Sequence, residues 1–291
     1  MEIKTSHKLV RRIKDDLFDE EQLDLYNLYI LAGSRDLQLA VADARSGKFV
    51  VLEDHVFPDP SAEETYSVIL RHLFDSHHLL QAGFWNDVTI GIKNPAFAQV
   101  PSILFDASTA RELLELNTSL EPDASILWNK SVSSEVTTVF SIPENLNFWL
   151  GNYYRKKEVR FVHHATALLA GASSVHRGNA HIYAFVDRFR FHLIAMEGSN
   201  LNYYNQFQIK QFSDYTRYLM LVMNQLGLNQ LTTPVTLHGF VGKDSPHFQE
   251  LKRYIRTLEL GGRPLGSSWS PAFDEIQDHQ FFDIFALQLT R

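Results

Sequence analysis

The strongest constraint on this chain is an order of elements that occurs twice. LYNLYILAG at 25–33, DLQLAVADA at 36–44 and KFVVLEDHVF at 48–57 are three β-rich runs. Their joints, Gly33-Ser34-Arg35 and Arg45-Ser46-Gly47, are tight and contain glycine, which predicts an antiparallel meander. A helix is predicted next, with Ser61 as its cap, Glu63 and Glu64 in its first turn, and Tyr66, Ile69, Leu70, Leu73 and Phe74 on one stripe. A buried strand, DVTIGI at 87–92, and a short helix, TARELLELN, follow. From residue 180 the order restarts. AHIYAFVDR, FRFHLIAME and NLNYYNQFQIK form a second meander, with joints at Asp187-Arg188-Phe189 and Gly198-Ser199-Asn200. A helix capped by Ser213 and closed by Gly227, a buried strand PVTLHGFV at 234–241 and a helix from Pro246 complete it. The two halves share this order without sharing residues. The reading is an α/β chain with an arm at 1–24, a first unit at 25–175 and a second at 176–291.

Other segments fit less tightly. Leu9, Ile13 and Leu17 are four apart, which suits a short amphipathic helix or a loosely attached arm. Residues 117–134, with Pro122 and the run Lys130-Ser131-Val132-Ser133-Ser134, read as a linker or irregular insertion. EVTTVFSI at 135–142, a helix after Pro143, EVRFVHH at 158–164 and the alanine-rich ATALLAGASS suggest a parallel β-α-β unit. DIFALQLTR at the end suits a last strand or a helical turn.

A length of 291 residues is comfortable for two cores. The chain has no Cys, so disulfide frameworks, thiolate zinc sites and cysteine nucleophiles are excluded. A formal net charge of -7 argues against nucleic acid as a general partner. No apolar run is long enough to span a membrane, and no targeting segment is evident, so the cytoplasm is the expected location.

The layout of meander, helix, strand, helix resembles the ribonuclease H-like module. Two in tandem make the actin-like ATPase fold of actin, chaperone ATPase domains and sugar kinases. EVTTVFSIPENLNFWLGNYYRKKEVRFVHHATALLAGA at 135–172 resembles the close of the first half of actin-like pilus-assembly and secretion proteins. Residues 25–291 as a whole resemble a bacterial family of uncharacterised proteins with that fold. The resemblance implies ATP and Mg²⁺ held between the halves by three loops. The first, Asp-x-Gly-Thr/Ser, corresponds to Leu31-Ala32-Gly33-Ser34, where Gly33 and Ser34 match but the acid is Leu31. The second, Asp-x-Gly, corresponds to Asp187-Arg188-Phe189, with Phe in the glycine position. The adenosine turn corresponds to His238-Gly239-Phe240-Val241-Gly242, with one of its paired glycines replaced. Phosphate cradling needs close backbone approach that only glycine allows, and Mg²⁺ needs oxygen ligands. The expectation is therefore a pseudo-ATPase that binds a protein partner, without catalytic residues, metal or cofactor. Phe189 would obstruct the phosphate position. If nucleotide binding survives, as in an ATP-binding switch, Gly33, Ser34, Asp187, Gly239 and Gly242 would carry it.

Other constellations are weaker. His77-His78 and His163-His164 read as solvated or hydrogen-bonded, since neighbours on a strand face opposite ways. Asp24, Asp43 and Asp106 do not form the acid cluster of a ribonuclease H nuclease. Tyr153-Tyr154-Arg155-Lys156-Lys157 mixes aromatic and basic residues, as nucleic-acid sites do, but also suits a helix C-terminus. Tyr203 and Tyr204, with Trp269, could mark a protein-binding surface. Gly261-Gly262-Arg263-Pro264 reads as a loop. No P-loop, nucleophile elbow or dinucleotide fingerprint is present.

Overall fold

The computed structural model describes residues 7–57, 66–154 and 158–291. The expected cap Ser61 with Glu63 and Glu64, and the basic residues Arg155 to Lys157, lie outside them.

Fifteen strands and eight α-helices are described. In chain order the first part contains β1 (Lys8–Lys14), β2 (Tyr26–Ala32), β3 (Asp36–Asp43), β4 (Lys48–Val56), α1 (Tyr66–Ser76), α2 (His78–Gln81) and β5 (Asp87–Ile92). Then come β6 (Phe97–Pro101), α3 (Ala110–Glu115), β7 (Ala124–Lys130), β8 (Val136–Pro143), α4 (Glu144–Tyr153), β9 (Val159–His163) and α5 (His164–Val175). The second part contains β10 (His181–Val186), β11 (Arg190–Glu197), β12 (Asn200–Gln208), α6 (Asp214–Gln225), β13 (Val235–Gly239), α7 (Pro246–Tyr254) and β14 (Leu258–Leu260). The two-residue β15 (Ser268–Trp269) and α8 (Phe282–Ala286) close the chain.

Both predicted meanders form, and each seeds a sheet of the same plan. The first sheet runs β1-β4-β3-β2-β5-β9, with β15 also on β4; the second runs β12-β11-β10-β13-β14. In each, three meander strands pair antiparallel, the first of them pairs in parallel with one added strand, and that strand pairs in parallel with a second. Parallel pairing needs crossovers, which the helices and the insertion between β5 and β9 supply.

Three expectations are corrected. Residues 8–14 form no helix: β1 lies antiparallel on β4, and only Ile13 of its seven residues is buried. A strand with nearly every side chain in water lacks the two-residue alternation that identifies strands. Residues 117–134 are not all irregular, because β7 pairs with β8. β8 and β9 do not share a sheet. β8 sits between β6 and β7 in a separate three-stranded sheet, while β9 pairs with β5. Of the two endings considered for the chain, the helix forms.

Two cores cover the first sheet. One, with Leu28, Ile30, Leu39, Phe57, Leu73, Phe74 and Trp85, lies under α1, α2 and α4. The other joins the two sheets: Tyr29, Leu31, Phe49 and Leu52 meet Leu168, Phe185, Ile194, Phe282 and Phe285. α5 is buried from His164 to Ala172, as expected of a helix packed on all sides. Strand β4 serves both cores. A register shift near Val50 puts Phe49 and Leu52 toward the second sheet. Beyond it, alternation sends Asp54 to that side and Glu53 and His55 to the other.

Candidate functional site: the junction of the two hairpins

The two meander hairpins meet between the sheets, where Asp36 opens β3, Asp187 follows β10 and Lys93 follows β5. Lys93 carries the arrangement. Its ammonium lies 3.0 Å from Asp36, 3.3 Å from Asp187 and 3.7 Å from Asp283 of α8, and its side chain is only 4% exposed. Burial opposes the ammonium charge, but Asp187, Asp36 and Asp283 outweigh it and raise its pKa. Burial likewise opposes the Asp283 carboxylate. Lys93 and the hydrogen bond from His164 at 3.2 Å overcome that and hold it well below the usual carboxylate range. Asp36 goes the other way, because its own burial, aided by Asp187, outweighs Lys93.

Arg188 completes the network. Its guanidinium grips both oxygens of Asp54, lies 3.5 Å from Asp36 and stacks 4.1 Å over the Phe240 ring. A planar fork on a carboxylate is the strongest geometry such a pair takes. Asp36, Asp54, Asp187 and Asp283 thus face Lys93 and Arg188, and both cations are already held.

Each loop residue singled out in the sequence now has a place. Gly33 makes the tight turn, its N–H donating to the Asp36 carbonyl at 2.9 Å. A side chain there would meet the Asp36 carboxylate and Lys93, so this glycine makes room for the ion pair. Ser34 is exposed. Leu31, where an acid would be required, is fully buried in the joint core. Phe189 is half-buried, and Arg35 of the first hairpin stacks 4.8 Å over its ring. Gly239 has φ +90 and lies against the Val186 carbonyl, which accepts from Phe240 N–H at 2.8 Å. Gly242 stands in open space. Gly239→Ala is expected to cost about 1–3 kcal/mol through strain at positive φ. Gly242→Ala should stay within about 0.5 kcal/mol. Urea denaturation of the two variants checks the contrast.

The adenosine side is closed by apolar packing. Phe282 lies 4.1 Å from His238 and 5.4 Å from Phe185, ring to ring, and Phe281 packs edge-on to Phe240. Burial holds His238 neutral, with its pKa lowered to about 3. The space left among His164, Phe185, Asp187, Gly239, Phe240 and Phe282 is about 10 Å³, room for about one water molecule. Small-molecule sites are roughly 300–1,000 Å³. In this arrangement the residues present do not fit a nucleotide.

The remaining candidates separate. His163 caps α5, accepting from Ala165 N–H at 3.2 Å, and packs on Phe97; burial lowers its pKa to about 3. His164 faces the junction. With Asp187 and His192 it offers three ligand atoms within 4.8 Å of one another, but Lys93 already supplies the cation beside Asp187. Tyr204 hydrogen-bonds His192 at 3.1 Å, while Trp269 stacks on Phe49, so the tyrosines and Trp269 form no common surface. Asp43 and Asp106 each serve their own turn. The loop Gly261 to Pro264 places Arg263 on the Phe273 carbonyl at 2.7 Å. Sequence reasoning missed Lys93, Asp36, Asp54, His192 and Asp283. Position was the available signal for Lys93, which follows an apolar strand at the strand end where open α/β sheets build their sites.

Two like-ordered sheets with their hairpins meeting at a buried junction define an actin-like ATPase fold, and solved structures agree. The chain is similar to a Bacteroides thetaiotaomicron protein with actin-like ATPase fold and unknown function: TM-score 0.76, 21% identity, covering 94% of this chain and 99% of that one. It is also similar to the PilM–PilN type IV pilus biogenesis complex: TM-score 0.56, 12% identity, covering 91% of this chain and 98% of that one. A third similar structure is the ethanolamine utilization protein EutJ from Carboxydothermus hydrogenoformans, with TM-score 0.50, 9% identity and coverage of 96% and 92%. At these identities the likeness shows the fold alone. Within that class, the chain belongs to the family described as "Protein of unknown function (DUF3822)", whose model matches residues 15–258. Comparison with curated proteins finds no match.

Proposed function

We propose that this protein is a pseudo-ATPase that acts as a protein-interaction scaffold. The observation that carries the reading is Lys93, which is buried among three carboxylates where the hairpins meet. An incoming triphosphate would have to displace that ammonium or face Asp36, Asp54, Asp187 and Asp283, whose cations Lys93 and Arg188 are already held. Leu31 removes an acid a magnesium water shell would use, and Phe282 fills the adenosine side. A partner protein is suggested by PilM, which shares the fold and is part of a complex with PilN. No helix among the described residues is long and apolar enough to cross a membrane.

Thermal unfolding with and without millimolar Mg-ATP tests the nucleotide part. A ligand at a hundred times its Kd adds about 2.7 kcal/mol, about 4–5 °C at this size. The pseudo-ATPase reading expects no shift. A magnesium-dependent rise of several degrees overturns it in favour of an ATP-binding switch.

A further inference from the structure

On the face of β4 away from the junction, three side chains converge that the cleft does not use. Glu53 and His55 are two apart on the strand and share that face; His77 comes from the turn between α1 and α2. Glu53 Oε2 accepts from His55 Nε2 at 3.0 Å and from His77 Nε2 at 2.6 Å. The other oxygen, Oε1, is held by Arg12 Nε at 3.0 Å. The Glu53, His55 and His77 side chains are 2%, 3% and 11% exposed, and their ligand atoms lie within 4.8 Å of one another.

We propose that Glu53, His55 and His77 form a zinc site, with the exposed His7 as a fourth ligand. Arg12 alone would neutralise this carboxylate, yet two imidazoles also aim the same nitrogen at one of its oxygens. Imidazole and carboxylate are a ligand set suited to zinc. Tetrahedral zinc with bonds near 2.0–2.1 Å sets neighbouring ligand atoms roughly 3.3 Å apart, so Glu53 Oε2 and the two Nε2 atoms, now 3.0 and 2.6 Å from it, must spread by less than about 1 Å. The His7 ring lies 5.5 Å from that of His55, and the His55 ring 5.5 Å from that of His77, so His7, exposed and outside the converging three, is near enough to turn a ring nitrogen toward the metal. Arg12 on Oε1 orients the carboxylate as outer partners of zinc ligands do.

The proton balance is simple. Zinc takes Oε2 and both Nε2 atoms, and each ring proton moves to Nδ1. His55 Nδ1 is buried without a hydrogen-bond partner among the described residues. His77 Nδ1 accepts only a 3.4 Å contact from Leu80 N–H, which zinc binding gives up. Neither move requires an existing short bond to Nδ1 to break.

The test titrates the full chain with Co²⁺, then displaces it with Zn²⁺. The expected result is one Co²⁺ per chain with the visible bands of a tetrahedral ion, abolished by one equivalent of Zn²⁺. His77→Asn should remove the bands, and Arg12→Ala, at an exposed side chain, should weaken zinc binding by about 10-fold or more. Histidine NMR resonances of the native chain provide a readout free of any folding defect: zinc should shift those of His55 and His77 and leave His163 unmoved. Absent tetrahedral bands, bands that survive His77→Asn, or zinc shifts confined to other histidines would each overturn the proposal.

Discussion

Lys93→Met is expected to destabilise the protein by about 3–5 kcal/mol, the cost of leaving a buried charge without its partner. The methionine fills much the same volume, so the loss is electrostatic. Asp36, Asp187 and Asp283 would face one another in a dry site with Arg188 as their remaining cation. The deficit should depend on pH with a definite sign. In the native protein Lys93 has a raised pKa, so its contribution is fully present below the ordinary lysine value and fades only above the folded value. Asp283 has a depressed pKa, so its contribution is present above the ordinary carboxylate value and is lost as pH falls through the folded value. Lys93 lowers the pKa of both Asp36 and Asp283, so without it these two shift upward and take up protons on folding, and the variant recovers part of its loss on acidification. Urea denaturation at pH 7.5 and pH 5 measures this. An equal deficit at both values would mean that Lys93 acts through packing alone.

Phe282→Ala is expected to cost about 3–5 kcal/mol, as truncations of buried aromatic rings do. Phe282 is 1% exposed and sits in the core that holds the two sheets together. The ring cannot be replaced by collapse from one side, because α5, β10 and β13 all border it. Chemical denaturation checks the magnitude. A loss below about 1 kcal/mol would show that the C-terminal helix is an appendage rather than part of the junction.

The meanders were legible in the sequence because glycine-containing turns and β-rich runs are local signals. The apolar stripes of α1, α4 and α6 were legible for the same reason. β1 was not. Its leucine and isoleucine spacing suited a helix, and the partner that makes it a strand is about forty residues away. β7 hid behind a polar loop, and nothing local could show that β8 leaves the main sheet. The junction was half legible. Gly33, Asp187 and Gly239 are all there, but Gly33 and Gly239 serve contacts within the protein. Lys93 is a single lysine after an apolar strand, and Asp283 looks like any helical acid. What joins them is tertiary structure, which brings residues nearly two hundred positions apart into one ion pair.

The first strand has a consequence for how copies of this chain meet. β1 forms the outer edge of the first sheet, and it carries Lys8, Arg11, Arg12 and Lys14. Arg12 and Lys14 are paired with Glu53 and Glu20, but charged side chains along a strand that is an edge among the described residues still disfavour the same strand of another copy, and proteins use such charges to stop sheets from joining edge to edge. β12, the outer edge of the second sheet, has no charged residue between Asn200 and Gln208. The basic segment that looked like a loose arm is thus a guard rail on the first sheet, and the outer strand of the second sheet carries none.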